Sequence, residues 1–320
     1  MTSEPHEILA ERLKATTLCA LPQSAVRLIQ LSKNPQNGPK ELAVPISIDM
    51  GLSTQVLRFV NSSFFGFRYK ITSIPLAISM ASIRTIRNFV LWSGLFAMMP
   101  NPKCGPFSLN VLFQDAIRRA AFVRQIAQMM GNRDPEELFL SAILQDMSIP
   151  ILGKIWNVEY TEMISECDHS TVRLSQLERE RMGWDHGEAS EILTNHWNLD
   201  DKIGKIIASH TSSDFSHIQT EEEKNTATIA LSSLLPSVIA TTWHEAELFL
   251  YGYNQVFLGQ TPDLSKIFEI VDLESSQLMQ LVNLGNMPKS LMTCHQEYVN
   301  SIKHPSISTE FSTDSPIPTI

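Results

Sequence analysis

Apolar residues recur at three- and four-residue steps along nearly the whole chain and hardly anywhere in strict alternation. Such a step keeps successive side chains on one face of a helix, whereas a half-buried strand needs alternation. In PQSAVRLIQLSKNP, Val26, Leu28, Ile29 and Leu31 follow a proline suited to a first helical turn. Behind Asp49, a candidate cap, Leu52, Val56, Leu57 and Val60 repeat the pattern. In RDPEELFLSAIL, Asp134 suits a cap, Pro135 a first helical residue and Glu137 the closing acid of a capping box. Asp185 and Glu188 of DHGEASEILTNHW predict a second box, and the acids after Thr220 suit the positive end of a helix. With only 13 glycines in 320 residues and no segment that reads as a strand pair, the expected fold class is all-α.

The prolines and glycine of PNPKCGP, residues 100–106, break this pattern and divide a first helical region, 1–100, from a second, 106–215. TSSDFSHIQT, residues 211–220, is a lesser break ahead of a helical extension over 221–300. The Ser-, Thr- and Pro-rich end, 303–320, is expected to be disordered. A net charge of −9 argues against sequence-independent nucleic-acid binding by the whole molecule, which needs many cations facing phosphates. Cys19, Cys104, Cys167 and Cys294 are scattered without a Cys-x-x-Cys pair, so they indicate neither a zinc knuckle nor a disulfide framework. The charged start is unlike a signal peptide, and the most apolar run, FVLWSGLFAMM, is too short to span a bilayer. A cytoplasmic protein with no membrane partner is expected.

One interval departs from the acidic average. From Met50 through Gln114 there is no aspartate or glutamate, while Arg58, Arg68, Lys70, Arg84, Arg87 and Lys103 all fall within it. Either these cations neutralise the acidic remainder internally, or they create a local positive field that receives an acidic partner or another anionic ligand. Arg68, Tyr69 and Lys70, helped by Arg84 and Arg87, are the candidates for such a docking surface.

Read in order, ISIDMGLSTQVLRFVNSSFFG, LFQDAIRRAAFVRQIAQMMG, DPEELFLSAILQDM and ERERMGWDHGEASEILTNHWNL, with CALPQSAVRLIQLS and ITSIPLAISMASIRTIRNFVL, resemble the HDOD family over roughly residues 12–215. That family is a bacterial output module similar to HD phosphohydrolases. The most specific matches are VNSSFFG, with Asn61, Ser62, Phe65 and Gly66 in the family's turn, and GWDHGEA with the later HW. The resemblance implies a multi-helix HD-like bundle preceded by an N-terminal helical subdomain. It also implies the place of a metal site, where a bound divalent ion would turn water into a phosphoester nucleophile.

There the chain departs from the pattern. Asp115 occupies the place of the first histidine, Gln145 that of the histidine in the His-Asp pair, and Asp146 alone survives; MSIP replaces the usual Gly-Lys. His186 and His210 persist. A carboxamide is a weak neutral donor where imidazole is a good one, so the site is expected to be vestigial, with no metal, cofactor or catalytic residue. Asp146 and Gln145 are then expected to hydrogen-bond neighbouring helices. His186 reads as an ordered structural residue, and Trp184 and Trp197 as packing. The implied function is a non-enzymatic bacterial signalling protein acting through contact with another signalling protein. The alternatives are a degenerate metal-dependent phosphohydrolase acting on nucleotides and a nucleic-acid-binding regulator using the basic segment.

Overall fold

The computed structural model describes residues 3–15, 21–34, 36–63 and 65–303, and among them the protein is helical with no strand. Cys19, Phe64 and the tail after Lys303, expected to be disordered, lie outside the described residues. The N-terminal part comprises α1 (Ser3–Ala15), α2 (Gln23–Ser32), α3 (Pro39–Ile48), α4 (Met50–Val60), α5 (Ile74–Ala81) and α6 (Ile83–Met98). Short polar side chains start these helices: Asp49 accepts from the Leu52 amide at 3.0 Å, and Ser73 from that of Leu76 at 3.4 Å.

Asn61 ends α4 and closes the turn that follows. Its amide donates to Leu57 O at 2.7 Å and Ile71 O at 2.8 Å, while its Oδ1 accepts from the Ile71 amide at 2.7 Å. Ser62 donates to Phe59 O, and Gly66 takes a φ of +58°, a region other residues resist. Phe65 stacks on Phe67 and meets Phe59 edge-on, whereas Tyr69 is left 84% exposed. Asn61→Ala is expected to cost about 1–3 kcal/mol, because it strands a backbone donor and acceptor together. Urea unfolding measures it.

An aromatic ladder joins this part to the central helix. Phe59 stacks on Phe89 at 4.1 Å, Trp92 continues the series, and Phe96 stacks on Phe113 at 3.9 Å. Phe113 belongs to α7 (Leu109–Met129), which is buried on most of its circumference between Phe113 and Ala127. Next come α8 (Pro135–Leu144), α9 (Ile149–Ile155), α10 (Asn157–His169), α11 (Leu174–Met182), α12 (His186–His196) and α13 (Asp201–Ala208). The last helices are α14 (Glu221–Ser233), α15 (Ala246–Val256), α16 (Leu264–Leu281) and α17 (Leu291–Lys303). Helices α8, α14 and α16 all pack on α7. Buried arginines of α7 fasten the C-terminal helices: Arg124 pairs with Glu274 of α16, and Arg118 donates to Pro236 O at 2.9 Å.

The two expected capping boxes are half formed. Asp134 and Asp185 cap α8 and α12 through the Glu137 amide and the Gly187 and Glu188 amides. The reciprocal acids go elsewhere, Glu137 to Lys202 at 2.8 Å and Glu188 to His6 at 2.9 Å. A side-chain donor brought close by tertiary packing outcompetes a backbone amide for the carboxylate. Pro135–Ile155 is long and apolar enough to cross a membrane, but 89% of that window is buried inside the fold, where it serves as core.

Candidate functional site

At the end of α8 the chain turns through Gln145–Ser148 into α9, and this turn places Asp146 against α7 and α12. One carboxylate oxygen of Asp146 accepts from the Arg119 guanidinium of α7. The other faces two imidazoles, with His210 Nε2 at 3.2 Å and His186 Nε2 at 3.6 Å. The two Nε2 atoms are themselves 3.0 Å apart. His186 opens α12 behind the Asp185 cap, and His210 sits in the short 3-10 turn Ser209–Thr211 that follows α13.

Hydrogen bonds from behind fix both rings. Glu178 of α11 accepts at Oε2 from the His186 backbone amide at 2.8 Å and lies 2.6 Å from His186 Nδ1. Its other oxygen accepts from the Tyr160 hydroxyl at 2.5 Å. His210 Nδ1 lies 2.7 Å from Ile207 O, which makes it the donor and leaves Nε2 as an acceptor. Asp185, besides capping α12, accepts from Thr211 at 2.9 Å and pairs with Arg179.

These contacts decide the protonation states. Burial opposes charge on His186, but the carboxylates of Glu178 and Asp146 outweigh it and push the imidazole up to about 10. His186 is therefore an imidazolium, with its Nε2 proton directed at His210 Nε2 and Asp146. Burial, together with the neighbouring His186 charge, holds His210 below its usual value against the pull of Asp146. Burial also opposes ionisation of Asp146, yet Arg119 and the two histidines keep its carboxyl well below the ordinary range. Two carboxylates thus face one guanidinium and one imidazolium, and the cluster is neutral as a whole.

The donor positions alone suit a metal. Asp146, His186 and His210 each offer a ligand atom within 4.8 Å of the others, the spread of a three-ligand site. The chemistry of the set does not suit one. A divalent ion would have to enter beside the half-buried Arg119 guanidinium, which cannot deprotonate, and expel the proton that His186 holds. These residues, as folded, do not fit a metal ion.

Two positions aligned with metal ligands lie outside the cluster. Asp115 Oδ1 accepts from the Val238 amide at 2.7 Å and so anchors the segment after α14, with burial raising its carboxyl. Gln145 Oε1 accepts from Ser232 at 3.2 Å and its backbone carbonyl from Ser190 at 3.0 Å, which ties α14 and α12 to the turn. Among the described residues its buried Nε2 donor has no partner. Arg119, Glu178 and Tyr160 were missing from the candidates. Arg119 lies four residues after Asp115, one helical turn on, which is the only sequence signal that could have found it.

The basic candidates divide. Arg84 is anchored to Asp134 at 2.5 Å, and the half-buried Arg87 donates to Asn88, because α6 packs on α8 and carries both toward that helix's acidic start. Arg68, Tyr69 and Lys70 are exposed.

A family model for the HDOD domain matches residues 18–213. A Treponema pallidum protein, named only as uncharacterized, is 21% identical over 228 residues, covering 67% of this chain and 42% of its own, so the chain spans less than half of that relative. A solved structure from Shewanella amazonensis, a candidate phosphohydrolase, superposes with a TM-score of 0.65 at 18% identity, covering 88% of this chain and 98% of its own. An HDOD domain protein of unknown function from Geobacter sulfurreducens gives 0.59 at 18% identity, covering 94% and 96%. A candidate signal transduction protein from Marinobacter aquaeolei gives 0.65 at 17% identity, covering 88% and 66%. These structures share the fold with this chain, and the family model covers more than half of it. The chain belongs to the HDOD domain family.

Proposed function

We propose that this protein is a regulatory HDOD module that signals through protein–protein contact and does not hydrolyse phosphoesters. The observation that carries this reading is the Arg119 guanidinium on Asp146, a fixed cation where hydrolysis of the HD kind would need a metal ion. Burial adds to it: the Asp146, His186 and His210 side chains are 5%, 8% and 1% exposed, which leaves little access for a substrate. The exposed Arg68, Tyr69 and Lys70, in an interval free of acids, supply a surface suited to an acidic signalling partner. The kinship with a candidate signal transduction protein agrees with this role.

The test is elemental analysis of the purified chain together with a hydrolysis assay. Phosphodiester and nucleotide substrates are supplied with manganese, iron or zinc in turn. The expected result is no stoichiometric transition metal and no turnover above buffer. Metal-dependent turnover that disappears in Asp146→Asn would overturn the reading.

A further inference from the structure

We infer that Arg119 is the resident cation of this site, and that the triangle of Asp146, His186 and His210 is a latent divalent-metal site that Arg119 keeps closed. The inference deepens the reading above and rests on it only in taking the wild-type site to be metal-free. Three observations on the page support it. The three ligand atoms already converge, with Asp146 Oδ1 at 3.2 Å and 3.6 Å from the two Nε2 atoms and these 3.0 Å from each other. Both imidazoles are held from behind at Nδ1, His186 by Glu178 at 2.6 Å and His210 by Ile207 O at 2.7 Å, which is how ligating histidines are oriented. The remaining oxygen of the same carboxylate is taken by Arg119, whose side chain is only 17% exposed.

A guanidinium on one oxygen of Asp146 and a metal ion on the other would both neutralise the carboxylate, and their like charges oppose each other there. Arg119 is permanently charged, so it excludes a dication at all accessible pH values. It is also joined to the fold, so the site needs no free ion to be stable. Removing that one charge should leave the three converging ligand atoms beside an uncompensated buried carboxylate, so that an ion has only the His186 proton to displace.

The test is cobalt binding, followed by titration calorimetry and by the visible spectrum of the bound ion. The chains compared are full-length wild type, Arg119→Gln, Arg119→Lys and the double variant Arg119→Gln with His210→Ala. Wild type and Arg119→Lys, which keep a cation, should bind no cobalt. Arg119→Gln should bind about one ion per chain, with affinity raised by roughly 100-fold or more, and the double variant should lose it. Cobalt binding by wild type with the same spectrum would overturn the inference, as would a folded Arg119→Gln that binds none. Hydrolysis is not read in this experiment, so neither outcome depends on whether the protein is an enzyme.

Arg119→Gln could fail to fold without metal. In that case, recovery of the fold on adding cobalt, or on adding Asp146→Asn to remove the unpaired charge, supports the inference. Failure of both rescues overturns it, because the loss would then lie in packing and not in charge.

Discussion

Asp146→Ala is expected to lower the unfolding free energy by about 3–5 kcal/mol, the cost of breaking a buried ion pair by removing one partner. The substitution leaves the Arg119 guanidinium and the His186 imidazolium facing each other with no carboxylate between them. It also deprives the turn between α8 and α9 of the contacts that hold it to α7 and to the 3-10 turn carrying His210. Asp146→Asn should cost less, because the amide oxygen can still accept from Arg119. In urea the midpoint should fall while the slope stays constant, the sign that stability has changed and the unfolded state has not. A loss below about 1 kcal/mol in Asp146→Ala would place the pair in the class of weak surface ion pairs and remove its structural role.

Stability should also depend on pH through the two histidines, in opposite directions. His186 rises from 6.5 to about 10 on folding, so between those values the folded protein holds a proton that the unfolded chain releases. Its contribution is complete below pH 6.5 and is lost as pH climbs toward 10. His210 is lowered from 6.5, so its contribution is lost as pH falls below that value. Asp146, depressed below 3.8, adds a further loss in strong acid. The result is a maximum near neutrality and an alkaline decline on the order of a few kcal/mol. Urea unfolding between pH 7 and pH 8.5, below the range where the raised thiols of Cys104, Cys167 and Cys294 and the raised Tyr160 hydroxyl contribute, reads it. His186→Gln should flatten that decline. An unchanged decline in this variant would assign it to another group.

The helices were legible in the sequence because their signals are local. Asp49, Asp134 and Asp185 cap where the spacing places them, and Gly66 takes the positive φ that its turn implies. The reciprocal halves of the boxes were not legible, since Lys202 and His6 come from other helices. The same division holds at the site. Asp146, His186 and His210 could be placed through the family resemblance. Arg119 was harder to place, as its spacing from Asp115 points to the wrong carboxylate and its partner is 27 residues away. Glu178 belongs to LERERM, which reads as a solvated face until the fold brings α11 against the start of α12. The role of Asp115 was obscured for the same reason: its acceptor function toward the Val238 amide spans 123 residues.

The central claim is that this buried cluster is neutralised from within and needs no metal. The most direct measurement is the thermal midpoint of the wild-type protein in excess chelator and again in excess manganese or zinc. An ion at roughly 100 times its dissociation constant would add about 2.7 kcal/mol, enough to move the midpoint by several degrees. The account predicts coincident midpoints. A midpoint that rises by several degrees with metal and falls on chelation would contradict it.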